Sequence, residues 1–106
     1  DWMSKYFFSG GMMPSDDLFH YFQKDLTLIN HWIVNGNHYA KTSEGWLSNM
    51  DKHKKEILPI FEKTYGKENV TKWWVYWRIF FMACAELWGY NDGEEWLVSH
   101  YLFKRR

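Results

Sequence analysis

Trp73 to Trp88 reads WWVYWRIFFMACAELW, a run whose only charged residues are Arg78 and Glu86. Val70, Trp73/Trp74, Trp77, Phe80/Phe81, Cys84 and Leu87/Trp88 recur at i, i+3, i+4 and i+7, the period of a helix with a wide apolar stripe. Large aromatics on such a stripe could wall a pocket for a flat, apolar ligand. A core helix has the same period, and periodicity alone does not separate the two.

Working outward in both directions, helices and strands alternate. Tyr6-Phe7-Phe8 runs into Ser9-Gly10-Gly11, and Pro14-Ser15-Asp16-Asp17 offers caps before Leu18-Phe19-His20-Tyr21-Phe22. This predicts an extended lead-in, a glycine loop and a short helix. In Leu26 to Val34, period two puts Leu26, Leu28, Trp32 and Val34 on one face, and Asn35-Gly36-Asn37 closes the run, so it reads as a strand. A helix opens near Thr42-Ser43-Glu44, whose hydroxyls cap free amides and whose carboxylate suits the positive end of the dipole. Trp46, Leu47, Met50, Ile57, Phe61 and Tyr65 form its apolar stripe. Pro59 should kink or split it, and Gly66 suits its end. The aromatic helix follows, Asn91-Asp92-Gly93 breaks the chain, and Glu94 to Lys104 carries apolar residues on both faces, as a largely buried strand does. The class is α/β: residues 1–36 are loop, short helix and strand, 37–92 a helical cap, and 93–106 the last strand. Two strands alone make a poor sheet, so they are expected to dock on strands outside this chain.

Composition points the same way. A chain of 106 residues is one domain at most, and its eight Trp, seven Tyr and eight Phe exceed what so small a core hides. Much of that aromatic surface is expected to face a ligand or protein outside the chain, which reads as a fragment or a processed piece beginning at Asp1. Thirteen Lys+Arg balance thirteen Asp+Glu, so no global field draws nucleic acid or an anionic membrane, and neither is an expected partner. Lys104-Arg105-Arg106 is a short solvated end. The single Cys84 excludes an internal disulfide and fits a reducing, cytoplasmic setting, where it acts as a small packing residue. No apolar run approaches bilayer length and no signal peptide is visible. Asn69-Val70-Thr71 matches a glycosylation acceptor at a helix start, and without a secretory signal it is read as chance.

The residues themselves offer no reaction centre. His31 and His38 lack the spacing of ligands on one helix turn, no Cys pair accompanies them, and no metal site is expected. Gly10-Gly11 lacks the rest of a nucleotide-binding fingerprint, and Glu94-Glu95 reads as a solvated strand edge rather than an acid–base pair.

Four stretches in order carry a resemblance: Tyr6 to Ser15 (YFFSGGMMPS), His38-Tyr39-Ala40-Lys41-Thr42 with Trp46, Trp77 to Leu87 (WRIFFMACAEL), and Gly93-Glu94-Glu95-Trp96. Together they resemble the C-terminal third of the plant N-methyltransferases of benzylisoquinoline alkaloid synthesis, the coclaurine, pavine and tetrahydroprotoberberine enzymes, which are similar in turn to cyclopropane fatty acid synthases. The resemblance implies a Rossmann-like, class I fold that binds S-adenosylmethionine, with this segment supplying the last two strands and the helical cap between them. It implies that the cofactor loop, the ribose-binding acid and the Glu-His motif beside the substrate amine lie outside this chain, so no catalytic or cofactor-binding residue is assigned within it.

What the resemblance assigns here is a substrate wall. Phe8, Tyr39, Phe80, Cys84 and Trp88 match positions that line the family's cavity, and Trp77 matches an aromatic of the alkaloid pocket. Phe81 is taken with them, with packing inside the cap as the competing role for Trp73, Trp74 and Phe81. The cyclopropane synthases place a bicarbonate-holding tyrosine one turn before the Cys, where this chain has Phe80, a departure that favours an amine acceptor. The implied partners are a small-molecule amine and the rest of the methyltransferase domain, with a homodimer among the expected assemblies. Two alternatives stay open: the equivalent portion of a lipid methyltransferase, and an aromatic-rich module that binds a small molecule without chemistry.

Overall fold

The computed structural model describes all 106 residues, which divide into two compact units, Asp1–Val34 with Ser99–Arg106, and Asn35–Val98. The first unit is built on strand β1 (Leu26–Asn35), which pairs antiparallel with β2 (Leu97–Arg105) in a two-stranded sheet. Trp32 meets His100 edge-on at 5.3 Å, and His31 stacks on Tyr101 at 4.4 Å, so adjacent residues of each strand serve opposite faces. The strand predicted from Leu26 to Val34 is met by β1.

Helix α1 (Trp2–Tyr6) has its first turn capped by the Asp1 carboxylate, which accepts from the Ser4 amide at 2.9 Å. It runs into the expected extended lead-in at Tyr6-Phe7-Phe8, which is instead turned back because the Phe7 and Phe8 amides both donate to the Met3 carbonyl. The short helix after Pro14 is a 3-10 turn, Leu18–Tyr21. It is fastened to the sheet by Asp16, whose carboxylate accepts from Ser99 Oγ and from His31 Nε2 at 2.9 Å, while Tyr101 Oη donates to the Asp16 carbonyl. His31 Nδ1 lies 3.1 Å from His20 Nε2, and Phe19 sits edge-on to Tyr101 at 5.0 Å. The hydrogen bonds from Ser99 and then His31 hold the Asp16 carboxyl below its ordinary range.

The second unit is helical. Helix α2 (Gly36–Lys52) begins six residues before the predicted start at Thr42, because Asn35 accepts from the Asn37 amide at 2.8 Å and caps it directly off β1. The long helix is divided, as Pro59 suggests, but at a different place. The break falls at His53, off helical geometry at φ −107° and ψ 29°, and α3 (Lys54–Tyr65) carries Pro59 within it. His53 turns both its amide and its Nδ1 to the Asn49 carbonyl, closing α2, so the backbone bends there rather than at the proline. Gly66, at φ 92°, ends α3, and α4 (Val70–Gly89) contains the whole aromatic run. Helix α4 packs along α2 and, less extensively, α3. No helix is long and apolar enough to cross a membrane.

The corner after α4 explains why β2 starts at Leu97 and not at Glu94. Asn91, Asp92 and Gly93 take left-handed backbone at φ 53°, 55° and 76°, and the Glu94 amide still donates back to the Asn91 carbonyl at 3.1 Å. The corner is clamped to the start of α2, where Asn37 Nδ2 donates to the Asp92 carbonyl at 2.8 Å and to its carboxylate at 3.0 Å. Gly36 is packed so closely that a Cβ there would overlap the carbonyl oxygens of Trp88 and Trp96. The expectation of a largely buried last strand is not met within this chain, since no residue of β2 is buried and Leu97 and Leu102 are 44% and 51% exposed. A two-stranded sheet has no further layer to cover such side chains.

Candidate functional site

Helices α2 and α4 run antiparallel, and a row of rings forms along their seam. At one end Tyr39 of α2 meets Trp88 of α4 at 4.9 Å. In the middle, Trp46 touches Tyr39 edge-on at 5.9 Å and Phe81 at 5.9 Å. At the other end Trp77, Phe80 and Phe81 lie within 5.8 Å of one another, centroid to centroid. Trp77 Nε1 donates to Tyr65 Oη at 3.2 Å, fixing the indole, and Tyr65 itself stacks on Trp73 at 4.2 Å. Beyond the rings, Arg78 grips Asp51 through two parallel 2.8 Å hydrogen bonds, tying α4 to α2 and holding the Asp51 carboxyl below its usual range.

Of the residues singled out from sequence, Tyr39, Trp77, Phe80, Phe81, Cys84 and Trp88 all belong to this unit, and all but Cys84 appear in the ring row. Cys84 is buried on the same stripe, and burial pushes its thiol up, so it stays protonated and is not a nucleophile. Tyr39 is likewise raised, first by burial and then by Cys84, and remains a neutral phenol. Phe8 belongs to the other unit, where it is 57% exposed and its amide donates to the Met3 carbonyl. Trp74, named as a competing core residue, is buried at 8% exposure, facing Phe61 at 6.2 Å.

Trp46 is the ring that the sequence placed in the apolar stripe and in the resemblance beside His38 to Thr42, but not among the candidate lining residues. Beginning the helix at Thr42 left Tyr39 outside it. Once α2 starts at Gly36, Tyr39, Ser43, Trp46 and Met50 fall at i, i+4, i+7 and i+11 on one face. Ser43 and Met50 on that face are buried at 0% and 6% exposure, while Trp46 between them is 45% exposed. An indole open to that degree leaves about 100 Å² uncovered, worth roughly 2–3 kcal/mol to whatever covers it.

No protein-family model matches the chain. Curated relatives do. It is 41% identical over 110 residues to (S)-coclaurine N-methyltransferase of Thalictrum flavum subsp. glaucum, and 41% identical over 111 residues to the enzyme of that name in Papaver somniferum. Pavine N-methyltransferase of Thalictrum flavum subsp. glaucum is 38% identical over 109 residues. Each match covers 100% of this chain, which spans 30% to 31% of those relatives' length and corresponds to their C-terminal part. The crystal structure of coclaurine N-methyltransferase bound to N-methylheliamine and SAH superposes with a TM-score of 0.75 at 42% identity, over 98% of this chain and 30% of that one. The chain is related to the benzylisoquinoline alkaloid N-methyltransferases. The α/β arrangement expected from sequence, two strands with a helical insertion between them, is the arrangement of this N-methyltransferase segment.

Proposed function

We propose that this chain is the substrate-pocket portion of a S-adenosylmethionine-dependent N-methyltransferase acting on benzylisoquinoline-type amines. The observation that carries the reading is the match, over the whole chain, to coclaurine N-methyltransferase, whose structure holds a methylated amine and SAH. The row of rings along α2 and α4 supports it chemically. A benzylisoquinoline presents two aromatic ring systems around an amine, and the faces of Tyr39, Trp77, Phe80, Phe81 and Trp88 would hold both, together with the developing ammonium, at about 0.5–2 kcal/mol per cation–π contact. Phe8 is proposed as a further lining residue, and Cys84 as the small residue that packs behind the rings.

S-adenosylmethionine does not fit the row itself. Its ribose and amino-acid ends need carboxylates and hydrogen-bonding groups, whereas the row supplies rings and a protonated thiol. Cofactor binding and the base that takes the amine proton are assigned to the rest of the methyltransferase domain. The cofactor donates the methyl group. The task left to this segment is to hold the amine so that its lone pair faces that group, and positioning of this kind supplies a large part of a bimolecular rate. A cytoplasmic enzyme is part of the same reading, supported by the single cysteine.

A methylation assay with the methyltransferase polypeptide that carries this segment, offered 1-benzyltetrahydroisoquinolines and unsaturated phospholipid in parallel, tests the reading. Amine turnover is expected. Turnover of phospholipid alone would make the chain part of a lipid methyltransferase, and amine binding without turnover of either would make it a binding module.

A further inference from the structure

We propose that Trp46 determines how many ring systems the amine substrate carries. The inference rests on the reading of the ring row as the amine wall, and adds a specificity-determining residue to it. Position is the first ground. Trp46 touches Tyr39 on one side and Phe81 on the other, so it joins the Tyr39–Trp88 end of the row to the Trp77–Phe80–Phe81 end. From Trp77 to Trp88, at a rise of about 1.5 Å per residue, α4 extends about 16 Å. A single fused bicyclic amine lies against one end of such a row. An amine with a second, pendant ring reaches across its middle, and Trp46 is what it meets there.

Exposure is the second ground. Trp46 sits on the face of α2 whose Ser43 and Met50 are buried at 0% and 6% exposure, yet it keeps 45% of its own surface open. Trp74, on α4, is buried at 8%. The two indoles therefore differ in kind: one is buried facing Phe61 of α3, and the other stands in the seam with surface still to cover. An indole offers a flat apolar surface for a pendant aromatic ring to lie against or meet edge-on.

The test compares steady-state methylation of 1-benzyltetrahydroisoquinoline and of unsubstituted tetrahydroisoquinoline by the methyltransferase polypeptide that carries this segment, as wild type, Trp46→Ala and Trp46→Phe. Trp46→Ala is expected to shift the ratio of kcat/KM by about tenfold toward the one-ring amine, through KM of the two-ring amine, with most of the shift restored by Trp46→Phe. An unchanged ratio overturns the proposal, whether both amines are spared or both lose activity equally. Should Trp46→Ala fail to fold, Trp46→Phe against Trp46→Leu gives the same ratio, with the aliphatic variant expected to favour the one-ring amine and equal ratios overturning the proposal. If the wild type methylates neither amine, the amine reading itself falls, a result distinct from turnover of both amines with no change at Trp46.

Discussion

The two units of this chain are held together by different forces. Every buried residue lies in the helical unit: Gly36, Ser43, Met50, Trp74, Cys84 and Gly93. In the strand unit nothing is buried, and the loop at Ser15–Phe22 is fastened to the sheet by Asp16, Ser99, His31 and Tyr101. The helical unit thus carries a core of its own, whereas the strand unit leaves Ile29, Trp32, Ile33 and Leu102 between 43% and 55% exposed. Apolar strand faces of that kind are the faces that further strands and helices cover in a larger α/β sheet.

The sharpest contrast should come from one glycine in each unit. Gly36→Ala forces a methyl into the carbonyl oxygens of Trp88 and Trp96, and is expected to cost about 2–3 kcal/mol or more in chemical denaturation. Gly10→Ala meets nothing within 4 Å and pays only for its left-handed φ of 71°, about 1 kcal/mol. Equal costs would erase the distinction between a packed unit and an open one.

Acid provides the next test. Asp16 is depressed below its ordinary value of 3.8, so the stability it contributes is present above that pH and lost as pH falls through the lower folded value. NMR signals of His31 and Tyr101 are therefore expected to report loosening of the strand unit in that range. Asp51 has the same sign, through Arg78, but the helical unit is expected to keep its ring contacts when that pair is broken. Asp16→Asn should remove the acid dependence of the strand unit alone, and simultaneous loss of both units irrespective of Asp16 would contradict the division.

The smallest effect is expected at Ser43, whose hydroxyl is fully buried with no hydrogen-bond partner. Ser43→Ala should be neutral or stabilising by up to about 1 kcal/mol in the same denaturation experiment, because an unpaired buried polar group is removed and no bond is lost. A clear destabilisation would mean that the α2–α4 seam uses that hydroxyl.

Much of this arrangement is legible in the sequence, for identifiable reasons. The period of Val70 to Trp88 has few charges to disturb it and was resolved as α4, and the alternation in Leu26 to Val34 as β1. The start of α2 was not legible at Thr42-Ser43-Glu44, because the cap that operates is the Asn35 side chain at the end of a strand, where Asn35-Gly36-Asn37 reads equally well as a turn. That single displacement kept Trp46, although it was part of the resemblance, from being placed on one face with Tyr39. The tertiary clamp of Asn37 on Asp92 was invisible for another reason, since it joins positions far apart in the chain. A Rossmann-like sheet is an expectation of the resemblance alone, because two strands do not specify one.

The central claim is that the α2–α4 rings hold the amine. Calorimetric titration of the methyltransferase polypeptide that carries this segment with N-methylheliamine and, separately, with SAH, as wild type and as Trp77→Ala, tests it most directly. A wall made of these rings predicts roughly tenfold weaker amine binding in the variant with SAH affinity nearly the same. Equal loss of both affinities would contradict the claim and make Trp77 part of the structural core.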